Sequence, residues 1–159
     1  MTDQKQKVII LTGATAGIGK ETARGIARHG GTLVIACRNL NKGEEARREL
    51  IETTGNKNIE LMHCDLASIH SIKRFVTDFK KQYNRLDVLV NNAGAMSFDR
   101  LVTADGFELT FGTNHLGPFL LTNLLLDVLK KSTPSRVVNV SSMTHYSAKI
   151  NFNDLNSEK

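Results

Sequence analysis

Five short apolar runs, each separated from the next by a helical pattern, constrain this chain more than any other feature. They are residues 7–12 (KVIILT), 32–37 (TLVIAC), 58–64, 86–90 (LDVLV) and 136–141 (RVVNVS). Nearly continuous apolar character, without strict alternation, belongs to strands buried on both faces. Between them lie segments of helical period. The first is expected over about residues 18–29. The second is the charged stretch KGEEARRELIE, with Asn41 as its cap and Glu44 to Arg48 as an i,i+4 pair. Ser68 caps the third, whose apolar face is Ile69, Ile72, Phe75, Val76, Phe79 and Tyr83. A long helical stretch over residues 103–131 follows, with Gly117-Pro118 as its expected irregular point. Strands alternating with helices form βαβ units. Right-handed crossovers wind these into an α/β fold, a doubly wound parallel sheet covered on both faces. With 159 residues, no internal repeat and no linker, the chain is read as a single domain.

Composition removes several alternatives. At 40% hydrophobic and 23% charged residues the chain is globular, not disordered or fibrous. No apolar run is long enough to span a bilayer, and the start MTDQKQ lacks the pattern of a signal peptide. Cys37 and Cys64 follow no ligand pattern and read as reduced cytosolic thiols, and the five histidines show no metal spacing. The expected location is cytoplasmic, with peripheral membrane association left open. The net charge of +5 is scattered over predicted helix faces, with no nucleic-acid reading motif beside it. No nucleic-acid partner and no metal are expected.

In a doubly wound sheet, ligands bind beyond the carboxyl ends of the strands. After the first strand stands TGATAGIG, with Gly13, Gly17 and Gly19. Thr15, Ala16 and Ile18 complete the loop, which follows a strand and opens a helix, the context a pyrophosphate-binding turn requires. After the second strand comes Arg38. An NAD site would place an acid near here for the ribose 2′-hydroxyl, but the first acids are Glu44 and Glu45, inside the next helix. Arg38 suits a 2′-phosphate instead, which favours NADP over NAD. After the third strand, Asp65 and Leu66 fit an adenine amino group and its base, or equally a helix-entry turn ahead of Ser68. After the fourth comes NNAG, with Asn91, Asn92, Ala93 and Gly94, where small residues let backbone approach a ligand. After the fifth stand Ser141 and Ser142, either turn caps or donors to a carbonyl oxygen.

TGATAGIG, NNAG, the asparagine of TNHLGPF and the serines of VVNVSS, in this order, resemble the short-chain dehydrogenase/reductase family. IACRNLNKGEEA and NHLGPFLLT resemble its retinol dehydrogenase branch. The resemblance implies a Rossmann fold with strand order 3-2-1-4-5 and NADP(H) as cofactor. It also implies interconversion of an alcohol and a carbonyl, on a small lipophilic substrate such as a retinoid. Of the family's catalytic Asn, Ser, Tyr and Lys, it assigns Asn114 to the asparagine and Ser142 to the serine that polarises the substrate oxygen.

The stretch SSMTHYSAK imitates the rest of that set. Tyr146 and Lys149 are three residues apart, whereas the family's tyrosine and lysine are four apart. Tyr146 also follows Ser142 by four residues, where the family leaves at least about a dozen. Both are read as loop residues. The chain is therefore expected to be truncated after the fifth strand, lacking the Tyr-x-x-x-Lys and inactive alone. The fifth strand is expected to be an exposed, association-prone edge, with a homo-oligomer as one outcome. The competing reading is a non-catalytic NADP-binding or regulatory protein that associates through that edge. A flavodoxin-like FMN site fits TGATAGIG poorly.

Overall fold

The computed structural model describes residues 7–158. The expectation about a signal peptide falls on residues 1–6, which lie outside them. Five parallel strands form one sheet: β1 (Val8–Thr12), β2 (Thr32–Cys37), β3 (Ile59–His63), β4 (Val88–Asn91) and β5 (Arg136–Asn139). Their order is β3-β2-β1-β4-β5, as expected. Ile10 is paired with Val34 on one side and Leu89 on the other, and Val90 with Val138.

Helices α1 (Gly17–Arg28) and α2 (Leu40–Thr54) cover one face of the sheet. There Ala23, Ala27 and Leu50 pack on Leu11, Leu33, Ile35 and Ile59. Helix α3 (Ile69–Gln82) and helix α5 (Gly117–Lys131) cover the other. Here Ile72, Phe75, Phe79, Leu121 and Leu125 pack on Ile10, Val34 and Leu89. Each such large side chain, when fully buried, stabilises the fold by about 1.5–3 kcal/mol. Cys37 and Cys64 are free. Cys37 Sγ lies toward Gly43 of α2, whereas Cys64 belongs to the cluster under α3 and α5, so the two thiols face opposite sides of the sheet.

Asp87 ties the strand starts together. Its carboxylate accepts from the Val8 N–H at 2.9 Å and from Arg85 Nε and Nη2 at 2.7 Å each. The residue is only 2% exposed. Burial alone would push the carboxyl up, but the Arg85 guanidinium and the Val8 N–H outweigh it and hold it below the usual carboxylate range.

Two local expectations need correction. Helix α2 is capped by Asn39, not Asn41: the Asn39 side chain accepts from the Lys42 N–H at 3.0 Å. Asn39 keeps extended backbone at the strand exit, so the helix starts two residues early and Asn41 lies inside it. Ser68 does cap α3, and Glu44 does pair with Arg48, at 3.2 Å. The long helix begins at Leu109, not at 103. Residues 103–106 instead form a turn, closed by the Val102–Glu108 bridge and the Thr103 hydroxyl. The three-residue helix α4 (Leu109–Phe111) leads into a π-helical segment, Gly112–Leu116, and then α5. The irregular turn closes at the expected point, the Gly117 N–H bonding the Gly112 carbonyl. Pro118, the second residue of α5, directly follows the π segment, and the wide turn falls where its ring and missing N–H interrupt a regular helix.

Candidate cofactor and active-site cleft

The strand order reverses between β1 and β4, and both of their exits open there. Thr12, the last residue of β1, is 1% exposed. Its hydroxyl donates to the Val90 carbonyl and accepts from the N–H groups of Asn92 and Ala93 at 3.0 Å each. Asn92 answers with Nδ2, which donates to the carbonyls of Thr12 and Gly13 at 3.0 and 3.2 Å. The glycine turn and the NNAG turn are thereby fastened side by side. Gly13 has φ +72°, and a Cβ there would lie 2.8 Å from Ala93 Cα, so no larger residue fits without moving the turn.

Three cavities join across this point. The first, about 310 Å³, is lined by Gly13, Thr15, Arg38, Lys42, Asp65 and Leu66, among others. The second, about 440 Å³, runs over Gly13, Thr15, Ala16, Ile18, Gly19 and Asn92 at the start of α1. Ala93 and Gly94 line both. The third and largest, about 770 Å³, is bounded by Asn91, Asn114, His115, Asn139, Ser141 and Ser142, and shares Asn92, Ala93 and Gly94 with the second. The result is one track from β2 to β5 along the carboxyl edge.

Every expected site residue except Gly17 lines this track or its cleft. Gly17 is the first residue of α1, at φ +53°. At one end, Arg38 and Lys42 make no ion pair among the described residues. Asp65 retains both of its readings: it borders the first cavity, and its Oδ1 accepts from the Ala67 N–H at 3.0 Å. At the other end, Asn114 stands in the π segment. Its Oδ1 accepts from the Ala95 N–H and its Nδ2 donates to the Ala95 carbonyl, both at 2.7 Å. Ser142 Oγ accepts from the Thr144 N–H and hydroxyl at 3.3 and 3.0 Å, capping a 3-10 turn, Met143–Tyr146. Tyr146 ends that turn 82% exposed.

The sequence reading overlooked Thr12, Lys42 and Thr113, which also border the first cavity. Thr12 was visible as a polar residue closing an apolar run, and Lys42 as a second cation four residues past Arg38. Thr113 carried no signal. Among the described residues no cluster of potential metal ligands exists. No helix there is long and apolar enough to cross a membrane.

A doubly wound parallel sheet with a glycine turn and an Asn/Ser cleft at its switch point defines a nucleotide-binding α/β class. Residues 7–153 match the family model of the short chain dehydrogenases, and the chain belongs to that family of oxidoreductases. It is 49% identical over 150 residues to human retinol dehydrogenase 13, covering 94% of this chain and 45% of that protein. It is 50% identical over 155 residues to human polyprenol dehydrogenase, covering 95% and 47%. The chain thus spans about half the length of these curated relatives. Among solved structures it is similar to an alcohol dehydrogenase from the archaeon Thermococcus sibiricus complexed with 5-hydroxy-NADP. That match has a TM-score of 0.71 and 30% identity, over 83% of this chain and 56% of that one.

Proposed function

We propose that these residues form the NADP-binding half of a retinol dehydrogenase-like oxidoreductase that interconverts an alcohol and a carbonyl on a lipophilic substrate. The carrying observation is the joined track, with two unpaired cations at one end and Asn114 and Ser142 at the other. Arg38 and Lys42 hold a ribose 2′-phosphate, Asp65 accepts from the adenine amino group, and the start of α1 faces the pyrophosphate. A dinucleotide held there would supply or accept the hydride. Ser142 Oγ donates to the substrate oxygen. Asn114 fixes the Ala95 turn through both ends of its amide, and Ala95 borders the first cavity.

The 159-residue sequence contains no Tyr-x-x-x-Lys, so no turnover of retinal is expected from it alone. The test is titration with NADPH followed by its fluorescence. Saturable binding, weakened at least tenfold in Arg38→Ala, supports the reading, and no binding at millimolar NADPH overturns it. Among the described residues β5 is the outer strand of the sheet, with Val137 at 39% and Val138 at 43% exposed.

A further inference from the structure

Two buried side-chain polar atoms have no hydrogen-bond partner among the described residues: Asn91 Oδ1 and Thr113 Oγ1. The Asn91 amide is still tied down, since its Nδ2 donates to Thr122 and Asn139 at 3.2 and 2.8 Å. The Thr113 hydroxyl has nothing. Three other helical threonines avoid that state by donating to the carbonyl four residues back. Thr53, Thr54 and Thr77 do so at 2.7, 2.6 and 2.9 Å. Thr113 lies in the π segment, where the Gly117 N–H reaches five residues back to the Gly112 carbonyl. Thr113 makes no such bond back to the Leu109 carbonyl.

Native folds rarely leave such a group unpaired, because burial without a partner is unfavourable. Thr113 is also part of the wall of the first cavity, with Arg38, Asp65 and Leu66. Threonine in a helix divides between two χ1 rotamers, so rotation carries the hydroxyl to a different side of the backbone at small cost. Thr113 further adjoins Asn114, whose amide holds the Ala95 turn, and Ala95 lines the same cavity.

We propose that Thr113 is a cofactor-contacting residue whose hydroxyl is unpaired in the free protein and is satisfied by the adenosine portion of the dinucleotide. This rests on the NADP-binding reading above. It assigns Thr113 two effects of opposite sign. The unpaired hydroxyl destabilises the free protein, and its pairing strengthens the complex.

Thr113→Val keeps the shape and removes the hydroxyl, while Thr113→Ser keeps the hydroxyl. Each is titrated with NADPH by fluorescence and with adenosine 2′,5′-bisphosphate by calorimetry, and each is melted without ligand. The expected result is a higher melting temperature for free Thr113→Val together with affinity for both ligands about tenfold weaker, the loss of one hydrogen bond. Thr113→Ser is expected to bind within about twofold of wild type. Wild-type binding with unchanged or tighter binding by Thr113→Val overturns the proposal. So does a lower melting temperature with unchanged affinity, which marks a structural role. Wild type that binds neither ligand removes the NADP reading itself, and this inference with it.

Discussion

Three glycines around α1 give a graded test of how the glycine turn after β1 is built. A Cβ on Gly19 would lie 2.1 Å from the Gly13 carbonyl oxygen and 2.4 Å from Asn92 Nδ2. Neither neighbour yields easily: one is backbone, and the other is held by hydrogen bonds of 3.0 and 3.2 Å. Gly19→Ala therefore combines overpacking of about 1–3 kcal/mol with the loss of two hydrogen bonds at about 1 kcal/mol each, roughly 3–5 kcal/mol in all. A Cβ on Gly17 meets nothing within 4 Å, but its φ of +53° is left-handed, so Gly17→Ala costs about 1 kcal/mol. Gly25, inside α1, has open space and no positive φ, so Gly25→Ala gains about 0.5–1 kcal/mol. At about 2–4 °C per kcal/mol for a domain of this size, Gly19→Ala should melt roughly 10 °C below wild type, Gly17→Ala about 3 °C below, and Gly25→Ala about 2 °C above. The assay is thermal unfolding followed by circular dichroism at fixed protein concentration. A Gly19→Ala melt within 2 °C of wild type, or one above that of Gly17→Ala, would refute the packing argument.

Other expectations follow from the same contacts. Lys42→Ala should weaken NADPH binding about tenfold while leaving any NADH binding unchanged, as read by parallel fluorescence titrations; equal losses for both cofactors would remove Lys42 from the phosphate site. The stabilisation from Asp87 is complete above the ordinary carboxylate pKa of about 3.9. Because the folded value is depressed, that stability is lost as pH falls through it, and urea unfolding of Asp87→Asn should show a flatter acid limb than wild type. The Cys64 thiol is pushed up to about 12 by burial, with the Asp65 charge and Cys37 adding to it. Iodoacetamide at pH 8 should therefore spare Cys64 in the folded chain and modify it in urea, as read by mass spectrometry.

The strands were legible because burial on both faces leaves a continuous apolar run, and all five lie where that pattern put them. The place of the cavity track was legible for the same reason: in a parallel sheet every strand exit lies on one edge, so the five loops meet there. What stayed hidden depended on backbone choices between near-equal options. Asn39 and Asn41 are both good caps, and the exit geometry of β2 selected the first. The turn at residues 103–106 carried a signal of its own, Asp105-Gly106, which the reading of one long helix passed over. The π form of the turn before Pro118 had no signature, since its sequence GTNHL carries no breaker beyond Gly112, and an extra residue in a turn is an outcome of packing on both sides. Thr113 was invisible on that account.

That extra residue also sets the phase of everything after it. Each α-helical residue advances the direction of its side chain by about 100°. An unbroken α-helix from Leu109 onward would couple the heading of Asn114 rigidly to that of Leu121, Leu125, Val128 and Leu129. The wide turn uncouples them: the amide meets the Ala95 loop while the four apolar side chains still meet the sheet. Deleting one residue within Gly112–Leu116 would restore a straight helix and force a choice between the two. The aim of the cleft and the seating of the core are separately adjustable on one continuous helical rod, and the π segment is the joint between them.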